Sequence, residues 1–218
     1  MIAYDDVIAC GYEYVAQSIS DLRKENFASD PCFKFDEYKK SQIYSAALKR
    51  HGPILKKIFR DLVKKKNSLL IIKENARINL SQKTQALNAL SDPNSEISSS
   101  YEGGGRTVRV DFIIHDSVLD VIYFLNLKRG SSRYDNGKTT QIKNDMSTLK
   151  IIGKSYIEKN FHMKVKEIKC KSIFYYGVPN IGHEFTWSGG DIDDFLFQGA
   201  RECMDRVSEY YSEAVSAI

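Results

Sequence analysis

The sequence predicts an α/β protein with a central mixed β-sheet flanked by helices and a helical N-terminal region. Apolar residues recur at helical spacing through the first third of the chain. Two strand-like segments follow each other at 107–114 and 121–128, and helix and strand patterns alternate after them. With 218 residues, of which 42% are hydrophobic, a single domain over 1–218 is expected.

The N-terminal part, residues 1–95, is expected to be mainly helical and basic. Gly52-Pro53 predicts a break, because an interior proline removes a helical hydrogen bond. Ser68–Ile72 is a short apolar run that fits either a strand or the start of a helix. The helices predicted for this part cover Tyr4–Glu25, Phe35–Arg50, Pro53–Lys66 and Ser81–Leu90.

The strand pair comes after a Ser- and Gly-rich loop at 91–105, whose length is typical of functional or disordered segments. A mobile flap over the substrate is expected, because the loop leads directly to Asp111. In the first strand, alternation puts Arg109 and Asp111 on one face, opposite an apolar face. That apolar face comprises Val108, Val110, Phe112 and Ile114. The second strand is apolar on both faces, which favours a central position in the sheet. A helix over Thr139–Lys159, a strand over Val165–Tyr176 and a helix over Asp191–Ala214 are predicted next.

Positive charge is concentrated between Lys39 and Lys66, which hold ten Lys or Arg residues and one acid. The chain carries +4 and this segment +9, so the remainder is net −5. Such asymmetry suits a polyanion on one face, although a solvated lysine surface explains it as well. The candidates for contact with the phosphates of such a polyanion are Lys56, Lys57, Arg60, Lys64, Arg129 and Arg133.

Compartment and membrane association follow from simpler features. The four cysteines are scattered without a C-x-x-C pair, so neither a zinc site nor a disulfide framework is expected. Reduced thiols indicate a cytoplasmic protein. There is no run of about 18 apolar residues, and the N-terminus lacks the pattern of a secretory signal, so no membrane association is expected.

The strongest chemical signal is the placement of Asp111, Asn126 and Lys128 in the strand pair. An acid in the middle of an apolar strand is costly unless it is paired or binds a cation. Mg²⁺ prefers oxygen ligands, and a lysine beside them can position a water and offset charge on a phosphate. A structural alternative remains open, in which Asp111 pairs with Arg106 or Arg109 at a strand surface.

This stretch resembles the PD-(D/E)xK nuclease superfamily, which includes most type II restriction endonucleases. Val110-Asp111 matches the acidic strand, and Asn126-Leu127-Lys128 matches the second part of the motif. The resemblance implies a restriction-endonuclease-like nuclease core within 106–218. It also implies that Asp111 and Asn126 bind Mg²⁺, with Asp111, Asn126 and Lys128 forming the catalytic set. Second-tier candidates are Gln141 and Lys143 on the following helix, and Glu102 or Glu74 as an extra upstream carboxylate.

The sequence departs from the family pattern at Asn126, where Glu or Asp is usual. An amide oxygen can bind a cation, but it brings no charge, so metal affinity should fall. Three explanations stay open: a natural active enzyme, an engineered inactive variant, or a protein that binds without cutting.

The function expected from the resemblance is Mg²⁺-dependent hydrolysis of double-stranded DNA by a type II restriction-like deoxyribonuclease. One site per chain and two strands to cut suggest a homodimer. Two alternatives are a nuclease toxin of a bacterial competition system, with an immunity protein as its partner, and a non-cutting DNA-binding protein with a degenerate centre.

Overall fold

A computed structural model describes residues 4–27, 35–81, 99–130, 135–177, 181 and 183–218. The predicted helix at 81–90, apart from Ser81, lies outside the described residues, as do Arg133 and positions 91–98 of the predicted loop. The chain divides into two compact units, which we call the helical unit (Met1–Lys65 and Ile192–Ile218) and the sheet unit (Lys66–Asp191). The prediction of one domain over 1–218 stays a prediction.

The sheet unit contains five strands among its described residues, in the spatial order β1-β2-β3-β4-β5. The first three strands form an antiparallel meander, and β4 and β5 continue the sheet in parallel. The elements are β1 Leu69–Leu80, β2 Arg106–Asp116, β3 Val121–Lys128, α3 Asn136–Phe161, β4 Glu167–Phe174, a 3-10 helix His183–Phe185 and β5 Thr186–Ser188. The α/β class, the mixed sheet and the helical N-terminal region are therefore confirmed.

Helix α3 makes the crossover between the parallel strands β3 and β4 and packs on one face of the sheet. Its Met146, Leu149 and Ile152 belong to one buried cluster with Val110 and Phe124 of the sheet. Gly153 fits closely here, since a Cβ at this position would lie 2.8 Å from the Ile168 side chain. The N-terminus of α3 is capped by Asp135, whose Oδ1 accepts the backbone N–H of Lys138 at 2.8 Å. This packing sets the position of α3 relative to the ends of β2 and β3.

The helical unit consists of α1 Asp5–Arg23, α2 Phe35–Lys65, α4 Asp191–Phe195, which begins at the unit boundary, and α5 Ala200–Ser216. Helices α1, α2 and α5 pack against one another in pairs. Gly11 of α1 lies so close to Val207 of α5 that an added Cβ would be 2.5 Å from its Cγ2 atom. No helix in the described ranges is both long enough and apolar enough to cross a bilayer.

Two predicted helix boundaries are wrong. Residues 35–65 form one helix with Pro53 inside it, rather than two helices that meet at Gly52-Pro53. An interior proline costs about 3 kcal/mol, but Leu55, Ile58 and Leu62 are completely buried and continue the apolar face past it. The predicted helix Asp191–Ala214 is two helices, because Gly199 adopts a φ of 90° at the start of α5.

Strand β1 is longer than the short apolar run at Ser68–Ile72, and it lies inside the part predicted to be mainly helical. It continues to Leu80 because Ala76, Ile78 and Leu80 alternate with exposed polar residues and fill the core. That alternation is a signal that the sequence contains.

Candidate active site

Asp111 and Asn126 meet where β2 and β3 separate. The ladder between these strands runs from the pair Asp116–Val121 to the pair Phe112–Leu125. At the next position, Asp111 and Asn126, hydrogen bonds from side chains take the place of the backbone ladder. The backbone N–H of Asp111 donates to Asn126 Oδ1 at 3.0 Å. The backbone N–H of Leu127 in turn donates to Asp111 Oδ2 at 2.8 Å. The two predicted residues are thus brought together by reciprocal bonds to each other's strand.

These contacts account for polar side chains in a largely apolar strand pair. Asn126 is only 6% exposed, and Asp111 is half-buried. A buried amide or carboxylate is costly without hydrogen bonds, and each of these accepts one from the backbone. The pair therefore has a structural role, because it satisfies backbone N–H groups at the point where the β2–β3 ladder ends.

The backbone around Asp111 is irregular. Asn75, with a φ of 50°, lies between the β1 residues that pair with Val110 and Phe112, and so stands opposite Asp111. Asparagine is among the few residues that adopt this conformation readily. Because Val110 and Ile113 pack in the same core cluster, the predicted alternation does not hold beyond Val110.

Lys128 is half-buried at the end of β3, and its backbone is fixed on both sides. Its carbonyl accepts the N–H of Tyr175 at 2.9 Å, and the carbonyl of Arg129 accepts that of Tyr176 at 3.0 Å. Gly130 follows with a φ of 60°. A Cβ on Gly177 would lie 2.1 Å from the Gly130 carbonyl oxygen, so this close approach requires glycine. By strand alternation Asn126 and Lys128 share the face of Phe124, which α3 covers.

Asp145 of α3 is a further acid at this end of the sheet, and sequence reasoning missed it. The Arg106 guanidinium, at the start of β2, donates a hydrogen bond to its carboxylate. Burial raises the pKa of the Asp145 carboxyl, while the positive charges of Arg106 and then Lys128 act in the opposite direction. Lys128 thus lies two residues from Asn126 on β3, at the same end of the sheet as Asp145. The only local signal was the spacing of Asp145, one helical turn after Gln141.

The second-tier candidates are less closely connected to this site. Gln141 and Lys143 are exposed on α3, and within the described part of the chain neither makes a hydrogen bond or ion pair with Asp111, Asn126 or Lys128. Glu102 is exposed in the segment before β2. Glu74 lies on β1 opposite Phe112, one position from Asp111 in the register.

The predicted phosphate-binding residues differ in their surroundings. In the helical unit, Arg60 donates to Asp61 Oδ1 at 2.9 Å and to the Tyr14 hydroxyl at 3.0 Å. The Lys57 ammonium lies 4.7 Å from the centre of the Tyr14 ring, so both cations already have partners. Lys64 is exposed and Lys56 is half-buried on the same helix. In the sheet unit, the Arg129 guanidinium lies 5.9 Å from the Tyr176 ring centre.

The chemistry of the donor set fits a hard cation. Asp111 supplies a carboxylate and Asn126 an amide oxygen, and Mg²⁺ commonly takes one or two carboxylates, the rest being water and phosphate oxygens. Ser172, opposite Asn126 on β4, adds a fully buried hydroxyl with no hydrogen-bond partner among the described residues. Within the described ranges no three His, Cys, Asp or Glu residues form a metal-binding group. The residues thus fit a weakly held ion that depends on water and substrate oxygens.

Comparison with known proteins finds no relative that bears on this site: no protein-family model matches the chain, and no curated protein matches it.

Proposed function

We propose that the protein is a Mg²⁺-dependent endonuclease that hydrolyses double-stranded DNA and resembles type II restriction enzymes. The observation that carries the proposal is the pairing of Asp111 with Asn126 across β2 and β3, with Lys128 next on the same face. The fold is compatible with it, because a central mixed β-sheet with helices against it is what the resemblance implies.

Asp111 and Asn126 would hold the cation. When bound, Mg²⁺ neutralises charge on the phosphodiester and lowers the pKa of a water, which favours attack at phosphorus. Asp111 is suited to this because one carboxylate oxygen is fixed by the Leu127 N–H, which orients the group before a cation arrives. Asn126 contributes a neutral oxygen, so the protein supplies one negative charge from this pair.

Lys128 would position the attacking water and stabilise the negative charge on the phosphate. The ammonium of a half-buried lysine acts more strongly on a nearby anion than one in bulk water. The backbone bonds from Tyr175 and Tyr176 hold the strand end in place, so the side chain starts from a fixed point. Because each chain has one such site, cutting both strands calls for a homodimer.

A non-cutting DNA-binding protein is the second candidate, and one observation favours it. Asn126 carries no charge, and its only oxygen already accepts the Asp111 N–H. This hydrogen bond alone explains Asn126 if its role is to hold β2 and β3 in position rather than to bind a cation.

The test is cleavage of supercoiled plasmid and of linear duplex with Mg²⁺ by the native chain, Asn126→Glu and Lys128→Ala, with Lys154→Ala, at an exposed lysine of α3, as the control. We expect cleavage by the native chain and by Lys154→Ala, faster cleavage at low Mg²⁺ by Asn126→Glu, and loss of cleavage in Lys128→Ala. Cleavage by Asn126→Glu alone would support the non-cutting candidate. If neither the native chain nor Asn126→Glu cuts DNA, the nuclease proposal is lost.

A further inference from the structure

We infer that Asp145 is a second carboxylate of the cation site, and that Arg106 masks it until a DNA phosphate takes over the guanidinium. The inference rests on the proposed function for the source of that phosphate. Arg106 and Asp145 would thereby couple DNA binding to metal binding.

The first step is that Asp145 is placed to join the site. Gly153 of α3 lies against the Phe124 side chain of β3, and α3 runs back along this strand in the opposite direction. Asp145 comes eight residues before Gly153, about 12 Å along the helix, and so lies level with Lys128, which comes four residues after Phe124, about 13 Å along the strand. Arg106, Val108 and Val110 alternate on β2, which puts Arg106 on the face that α3 covers. Asp145 therefore lies at the same end of the sheet as Asp111 and Asn126.

The second step is that Asp145 is poorly solvated where it lies. Its side chain is 18% exposed, and burial is the largest influence on its ionisation. A carboxylate in such surroundings requires a positive partner to stay charged. Among the described residues Arg106 supplies that partner directly, and a divalent cation would serve in its place.

The third step is that Arg106 can leave. Its side chain is 35% exposed, and the glycines that precede it at 103–105 are exposed as well. The exposed part of the guanidinium is open to a second anion, and because loss of Arg106 leaves the Asp145 charge uncompensated, the exchange is complete only when a cation takes its place. A guanidinium matches a phosphate group at least as well as a carboxylate, because both accept two parallel N–H bonds.

Exchange at Arg106 has a reciprocal consequence. If phosphate removes Arg106 from Asp145, the carboxylate becomes available and cation affinity rises; by linkage, a bound cation raises affinity for the phosphate. The single negative charge from Asp111 and Asn126 would then be doubled only when DNA is present.

Calorimetric titration of the DNA-free protein with Ca²⁺, an oxygen-seeking cation, tests the masking. We expect Arg106→Gln to bind Ca²⁺ at least about 5-fold more tightly than the native chain, within the usual range of coupling between sites. The gain should vanish in Arg106→Gln/Asp145→Asn. Lys150→Gln is the matched control: Lys150 lies on α3, as Asp145 does, and forms an exposed ion pair with Glu184 of the 3-10 helix, so its loss should change Ca²⁺ affinity less than 2-fold.

A second titration with Ca²⁺ and a 20-base-pair duplex tests the exchange, with inorganic phosphate replacing the duplex in a parallel arm. DNA should raise the Ca²⁺ affinity of the native chain by a larger factor than that of Arg106→Gln, and free phosphate should do less. A folded Arg106→Gln protein with unchanged or weaker Ca²⁺ affinity, or a gain that survives in the double variant, overturns the inference. Failure of the native chain to bind the duplex at all overturns the proposed function instead, and the DNA-free titration still decides the masking.

Discussion

Strand β2 carries two buried or half-buried aspartates, and they differ in what surrounds them. Asp116, 6% exposed at the hairpin end, accepts the backbone N–H groups of Val118 and Leu119 on Oδ1, at 3.0 and 3.2 Å. Asp111, at the opposite end, accepts the backbone N–H of Leu127. Both carboxylates therefore accept backbone N–H groups, and this contact alone does not distinguish a structural acid from a functional one.

The difference lies in the neighbouring side chains. Asp116 closes the turn at 117–120, and its bonds go to that turn. Asp111 adjoins Asn126, and Lys128, Arg106 and Asp145 lie at the same end of the sheet. Bringing cations and carboxylates together at one end of the sheet costs desolvation energy that a purely structural contact does not require. Such clusters are therefore more typical of functional sites.

Replacement of Asp111 should produce the largest effect on activity. Asp111→Asn keeps an oxygen that can accept the Leu127 N–H, but it removes the negative charge available to a cation. We expect plasmid cleavage with Mg²⁺ to fall on the order of 10³-fold, since charge stabilisation of this kind dominates many catalysed reactions. The melting temperature should stay within about 4 °C of the native value. A variant that melts far lower would place Asp111 with Asp116 as a structural acid.

Replacement of Asp116 should have the opposite profile. Asp116→Ala leaves two backbone N–H groups of the turn without their acceptor, which costs about 1–3 kcal/mol of unfolding free energy. Urea denaturation measures this cost, and Asp116→Asn, which retains one oxygen, should lose less. The cleavage rate per folded molecule should change less than 2-fold. A large loss of activity in the folded variant would erase the contrast between the two acids.

The sequence predicted the parts of this contrast that depend on local pattern. Asp111, Asn126 and Lys128 were recognisable because an acid in one strand and an amide-x-lysine pair ending the next interrupt otherwise apolar segments. The strands around them followed from burial and alternation. Helix α2 was wrongly divided because the local cost of Pro53 was weighed without the tertiary burial that offsets it.

The pairing of Arg106 with Asp145 could not be predicted from the sequence. The two residues are 39 positions apart, and each is an ordinary surface residue type in its own element. Only the packing of α3 on β2 and β3 brings them to one place. The irregular backbone at Asn75 is equally a product of the β1–β2 pairing, since nothing near it in the sequence marks a break.

The half-buried Lys171 on β4 provides the smallest test of the contrast, because it too forms its hydrogen bond with a backbone group. The Lys171 ammonium donates to the Glu184 carbonyl oxygen at 2.5 Å, and burial lowers its pKa below the ordinary 10.5. Between the lowered pKa and 10.5 the unfolded chain binds more protons than the folded one, so this lysine's contribution to stability rises with pH. The unfolding free energy of the native chain should therefore rise relative to Lys171→Met as pH increases toward 10.5, as measured by urea denaturation at several pH values.

Lys164→Met is the control, because the Lys164 side chain is 88% exposed, and this variant should follow the native chain. If the unfolding free energy of all three proteins changed equally with pH, Lys171 would be solvated in the folded state, and its hydrogen bond to the backbone would not affect the pH dependence of stability.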